Sequence, residues 1–120
     1  MTRNYIIYLN DIIKNVELTE KFTDNMTFMD FSVDEKSQYA VIRSIEIIGE
    51  ASKKVPEEIR EKHSDIPFKE MSGMRDKLIH FYFGVNPGTI WKAVKEELPV
   101  VKDKIKELIS EITNQTKLDL

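Results

Sequence analysis

"SVDEKSQYAVIRSIEIIGEASKKVP", residues 32 to 56, decides the fold class of this chain. Val41, Ile42, Ile45 and Ile48 recur at three- and four-residue spacings, the period of a helix with one face toward a core. Ser32 and Glu35 stand at the spacing of a capping box, a serine oxygen accepting from a first-turn amide while the glutamate reaches back. The helix is therefore expected to start at this box. It should end before Val55-Pro56, because the ring of a proline pushes the preceding residue out of the α region.

The same period runs through the rest of the chain. Tyr5, Leu9, Ile12, Ile13 and Val16 predict an amphipathic helix from about residue 3 to residue 22. Residues 23–31 read as a connection anchored by Phe28 and Phe31. Pro56 opens a short helix reaching Lys62, and Pro67 opens a third main helix that should stop near Gly84. Asn86-Pro87 is a further N-cap and proline pair. From it Ile90, Trp91, Val94, Leu98, Val101, Ile105 and Leu108 trace a last long helix, with a kink or break expected at Pro99. The tail beyond Thr113 is expected to fray. No strand alternation, repeat or linker appears. The expectation is one all-α domain over 1–120, an antiparallel bundle of four main helices plus one short extra helix.

Composition narrows the function. There are no cysteines, which excludes disulfides, thiolate metal sites and cysteine nucleophiles and suits a reducing cytoplasm. No His-x3-His or Glu-x2-His pattern supports a metal site. No apolar run has signal-peptide or membrane-spanning length, so a cytoplasmic protein with no membrane partner is expected. The net charge of −3 argues against a general nucleic-acid coat, which needs Lys and Arg to neutralise phosphates. Any RNA or DNA would be handled locally, or after assembly has concentrated the positive charge.

The candidate chemistry lies in "MSGMRDKLIHFYFG", residues 71–84. Arginine clamps phosphates through its planar fork, and histidine moves protons near neutral pH. Arg75 and His80, with the hydroxyl of Tyr82, make a set able to cleave a phosphodiester. On an ideal helix, however, Arg75 and His80 are about 140° apart. Two copies of the helix meeting across a dimer axis would bring them into one cleft. Asp76, one turn before His80, could orient the imidazole and favour its charged form. Spacing alone leaves a second reading open, a surface ion pair with Asp76 beside a rim histidine. Glu46 and Glu50, with Arg43 and Lys54 at ion-pair spacing, read as a solvated face unless Glu50 turns inward to orient Arg75. His63 reads as a helix-end residue, Trp91 as packing, and Met26, Met29, Met71 and Met74 as gap fillers.

Taken together, "RSIEIIGEASKKVP" at 43–56, "GMRDKLIHFYFGVN" at 73–86 and "KEELPVVK" at 95–102 resemble the HepT-like toxins of the HEPN superfamily. The resemblance covers most of the chain. It implies a dimeric helical bundle acting as a metal-independent endoribonuclease, with no cofactor. Arg75 would bind the scissile phosphate and His80 would act as general acid or base while the RNA 2′-hydroxyl attacks. A minimal nucleotidyltransferase antitoxin (MntA-type) would inactivate the toxin by AMPylation of Tyr82. The resemblance also admits a non-catalytic HEPN subunit that binds nucleotide or substrate for a nucleotidyltransferase. Two residues depart from the pattern. Asp76 stands where many members carry asparagine, and Phe81 where many carry glycine.

Overall fold

The computed structural model describes residues 5–80 and 86–118, with side chains placed for 5–76 and 86–114. Among the described residues seven α-helices follow one another: α1 (Ile6–Phe22), α2 (Phe28–Val33), α3 (Glu35–Lys54), α4 (Glu57–Lys62), α5 (Phe68–His80), α6 (Pro87–Lys92) and α7 (Leu98–Leu118). A π-helical turn, Ala93–Glu97, joins α6 to α7. No strand occurs among the described residues.

The long helices stand where their apolar period puts them. Leu9, Ile12 and Val16 of α1, Val41, Ile45 and Ile48 of α3, and Val101, Ile105 and Leu108 of α7 meet in one buried cluster. Side-chain pairing gives the directions. Glu20 meets Lys102 at 2.8 Å and Glu17 meets Lys106 at 4.0 Å, so α1 and α7 run antiparallel. Tyr8 meets Lys54 near the opposite ends of α1 and α3, which makes that pair antiparallel too. Buried hydroxyls are satisfied along their own helices, as Thr19 donates to the Val16 carbonyl and Ser52 to the Ile48 carbonyl.

Several expectations are corrected. The capping box lies earlier than Ser32–Glu35. Thr27 accepts from the Asp30 amide at 3.1 Å, and Asp30 accepts from the Thr27 amide at 3.0 Å. The segment 23–31 is thus not all connection, because this box nucleates α2 as a second short helix. Ser32 sits inside α2 and donates to the Met29 carbonyl at 2.8 Å. Asp34 takes the N-cap position of α3, with its carboxylate accepting from the Ser37 hydroxyl at 2.6 Å. Asn25, at φ 61, turns the chain between α1 and α2 through the left-handed region that asparagine tolerates.

Pro99 neither breaks the helix nor stands mid-turn in a regular one. It lacks the N–H that an α-helix would direct at the Lys95 carbonyl, and the backbone widens into the π turn just before it. Lys95 in this turn donates to the Thr23 carbonyl at 3.4 Å and lies 4.8 Å from the centroid of Trp91. Trp91 packs on Phe31, as expected of a core residue. α7 continues into the tail as far as Leu118. Of the four methionines, Met71 is buried and Met26 and Met74 pack partly on the core, whereas Met29 is 77% exposed and fills nothing.

Candidate active site

α3 and α5 pack closely because Gly49 faces α5 without a side chain. A Cβ there would lie 2.2 Å from the Arg75 Cβ and 2.8 Å from the Met71 carbonyl oxygen. Arg75 consequently lies against α3, and its guanidinium reaches the exposed side of that helix. Nη2 meets Glu50 Oε2 at 3.1 Å, and Nη1 meets Asp76 Oδ1 at 3.1 Å. Lys53 Nζ meets the same Asp76 oxygen at 2.8 Å. Two anions and two cations thus alternate in the order Glu50, Arg75, Asp76, Lys53.

The arrangement orients Arg75 without burying it. Its side chain is 28% exposed, so the guanidinium is held by carboxylates from two helices yet open to a ligand. Hydrogen bonding to Lys53, and secondarily to Arg75, holds the Asp76 carboxyl below its ordinary range. Asp76 therefore stays ionised at neutral pH. It also has an alternative partner. An incoming phosphate can take the Asp76 place on Arg75 while Lys53 keeps the carboxylate paired.

Several sequence expectations can be placed. Glu50 turns to Arg75, as the inward alternative required, while Arg43 pairs with Glu46 at 3.3 Å on the outer face. Asp76 directs Oδ1 to Lys53 and Arg75. α5 runs unbroken from Phe68 to His80, so Arg75 and His80 occupy one helix about 140° apart. The side chain of His80, and Tyr82 and Phe81 altogether, lie outside the described residues. His63 follows the last turn of α4 as its C-cap.

Sequence reasoning missed Gly49 and Lys53. A glycine inside a strongly helical run costs about 1 kcal/mol against alanine, and that cost was the available signal of a close approach. Lys53 gave no signal, because its partner is on another helix.

A cleft of about 250 Å³ opens beside Arg75 and Glu50, between α3 and α1. Among the described residues no group of three or more His, Asp or Glu could hold a metal ion. Nor is any helix of the described residues long and apolar enough to cross a membrane.

Comparison with known proteins gives the family. The family model described as "Ribonuclease HepT-like" matches residues 12–108, a span that includes every member of the ion network. The chain belongs to the HepT-like family. It is 51% identical over 108 residues to a Thermococcus cleftensis protein named "Probable ribonuclease HepT", covering 90% of this chain and 98% of the relative. It is 43% identical over 118 residues to a Methanocaldococcus jannaschii protein named "Putative RNase MJ1216", covering 98% of each. A protein of Caldanaerobacter subterraneus subsp. tengcongensis, "Putative RNase TTE0752", is 46% identical over 102 residues, 85% of this chain and 91% of the relative. No solved structure matches. In this HepT-like chain the all-helical bundle puts Gly49 and Arg75 at the contact between α3 and α5.

Proposed function

We propose that this chain is the toxin of a toxin–antitoxin pair, a metal-independent endoribonuclease that acts in the cytoplasm as a homodimer. Its membership of the HepT-like ribonuclease family supports RNA as the substrate class. The observation that carries the reading is Arg75, held at both terminal nitrogens by carboxylates and still open to solvent. A guanidinium fixed in advance stabilises charge on a phosphoryl group without reorganising during the reaction.

In this reading the RNA 2′-hydroxyl attacks the adjacent phosphorus and the 5′-oxygen leaves, giving a 2′,3′-cyclic phosphate and a 5′-hydroxyl end. Arg75 binds the non-bridging oxygens, with Glu50 holding its orientation. His80 takes the proton of the attacking hydroxyl or protonates the leaving oxygen. Two copies of α5 across a dimer axis supply both roles, and they overcome the angle between Arg75 and His80 on a single helix. A minimal nucleotidyltransferase antitoxin transfers AMP to Tyr82, adding a bulky anion that opposes the binding of RNA.

Protein purified without its antitoxin should cleave single-stranded RNA in EDTA, and His80→Ala should abolish cleavage. Equal cleavage by that variant rejects the assignment of His80. Incubation with the cognate nucleotidyltransferase antitoxin, ATP and Mg²⁺ should raise the mass of the Tyr82 peptide by AMP units; an unchanged mass rejects the switch.

A further inference from the structure

The cleft beside Arg75 continues away from α5 onto α1, and its far wall contains residues that take no part in the phosphate chemistry. Tyr8 lines this wall with its body packed on the core. From the end of α3, the exposed Lys54 places Nζ 5.5 Å from the Tyr8 ring centroid. The other cations in the cleft are matched, Arg43 with Glu46 at 3.3 Å and Arg75 with Glu50 at 3.1 Å. An aromatic ring therefore shares one cleft with the Arg75 guanidinium, with a relocatable ammonium above it.

We propose that Tyr8 and Lys54 form a nucleotide subsite for single-stranded RNA next to the phosphate held by Arg75. The base of the neighbouring nucleotide stacks on Tyr8, and Lys54 moves from the ring to the adjoining phosphate. The proposal rests on the ribonuclease reading and gives that site its substrate class. Three physical points support it. Stacking on an aromatic ring is available to every base and outweighs the contact of one exposed lysine with the same ring. The flexible stem of lysine lets its charge shift between ring and phosphate. A cleft of about 250 Å³ suits one flat heterocycle, and a base inside a duplex cannot present its face to Tyr8.

The test compares steady-state cleavage of a single-stranded RNA oligonucleotide by the wild type, Tyr8→Leu, Tyr8→Phe and Lys54→Glu. It is paired with NMR titration of 5′-AMP. Tyr8→Leu should lower kcat/KM about tenfold through KM, while Tyr8→Phe, which keeps the stacking face, stays near wild type. Lys54→Glu changes an exposed side chain, so it keeps the fold and should also raise KM. Wild-type kcat/KM in both Tyr8→Leu and Lys54→Glu overturns the subsite and leaves the ribonuclease intact. A loss with Tyr8→Leu that Tyr8→Phe shares also overturns it, since stacking is then not the cause. If the wild type cuts no RNA, the ribonuclease reading is what has failed, and the AMP titration decides the subsite alone. Binding that is weakened by Tyr8→Leu and kept by Tyr8→Phe supports it; no binding, or binding indifferent to Tyr8→Leu, overturns it.

Discussion

Gly49→Ala tests the idea that a missing side chain sets the position of Arg75. The added Cβ would meet the Arg75 Cβ at 2.2 Å and the Met71 carbonyl oxygen at 2.8 Å. Neither atom can rotate away, because one is backbone and the other is fixed by the helix. α3 and α5 must therefore part by roughly 1.5 Å to restore ordinary contact. Overpacking of this kind costs about 1–3 kcal/mol, and rigid neighbours place this site at the upper end. Alanine returns about 1 kcal/mol of helix propensity, which leaves a net loss of ~2 kcal/mol. For a domain of this size that corresponds to a fall in Tm of about 8 °C. Gly73→Ala is the matched control, since a Cβ there meets nothing within 4 Å and only the propensity gain remains. It should stabilise the fold by about 0.5–1 kcal/mol. Urea unfolding followed by circular dichroism reads both variants, and RNA cleavage reads the displacement of Arg75. A Gly49→Ala protein as stable as Gly73→Ala would refute the close-approach argument.

The remaining predictions concern the ion network and α2. Glu50→Gln should keep the fold but loosen Arg75, raising KM for RNA severalfold; unchanged kinetics would show that Asp76 alone suffices to orient the guanidinium. Asp76→Asn removes the carboxylate that competes with phosphate for Arg75, so RNA affinity measured by fluorescence anisotropy should rise severalfold. Because the Asp76 pKa is depressed on folding, first by Lys53 and then by Arg75, its stabilising contribution is full above the ordinary value of 3.8. That contribution is lost as pH falls through the lower folded value; an NMR-detected Asp76 titration at or above 3.8 would contradict the network. Thr27→Ala removes one half of the box that starts α2 and should cost about 1 kcal/mol in thermal unfolding, whereas Ser32→Ala should cost much less.

The sequence by itself determined the helices and most of their ends. Apolar spacing in α1, α3 and α7 left each helix one face to bury, and Pro56, Pro67 and Pro87 marked starts that the fold respects. Such signals are local, because a helix is built from bonds between residues four apart. Capping was less legible. Two boxes competed around residues 27–35, and their spacing alone could not show that Thr27 and Asp30 would start a helix of their own. The irregularity at Pro99 was legible, but its form was not, since a kink and a π turn both accommodate the missing N–H.

The candidate site divided along the same line. Arg75 and its neighbours stood out by residue type and resemblance, which carried the family assignment. Only the tertiary structure decided the surroundings of Arg75. Glu50 could have paired with Lys54 on its own helix, yet it meets Arg75 because Gly49 lets α5 come close. Lys53 meets Asp76 for the same reason, and Tyr8 reaches the cleft through the separate packing of α1 on α3. Contacts between helices depend on how closely and in which direction two faces pack, and no single helix encodes that geometry.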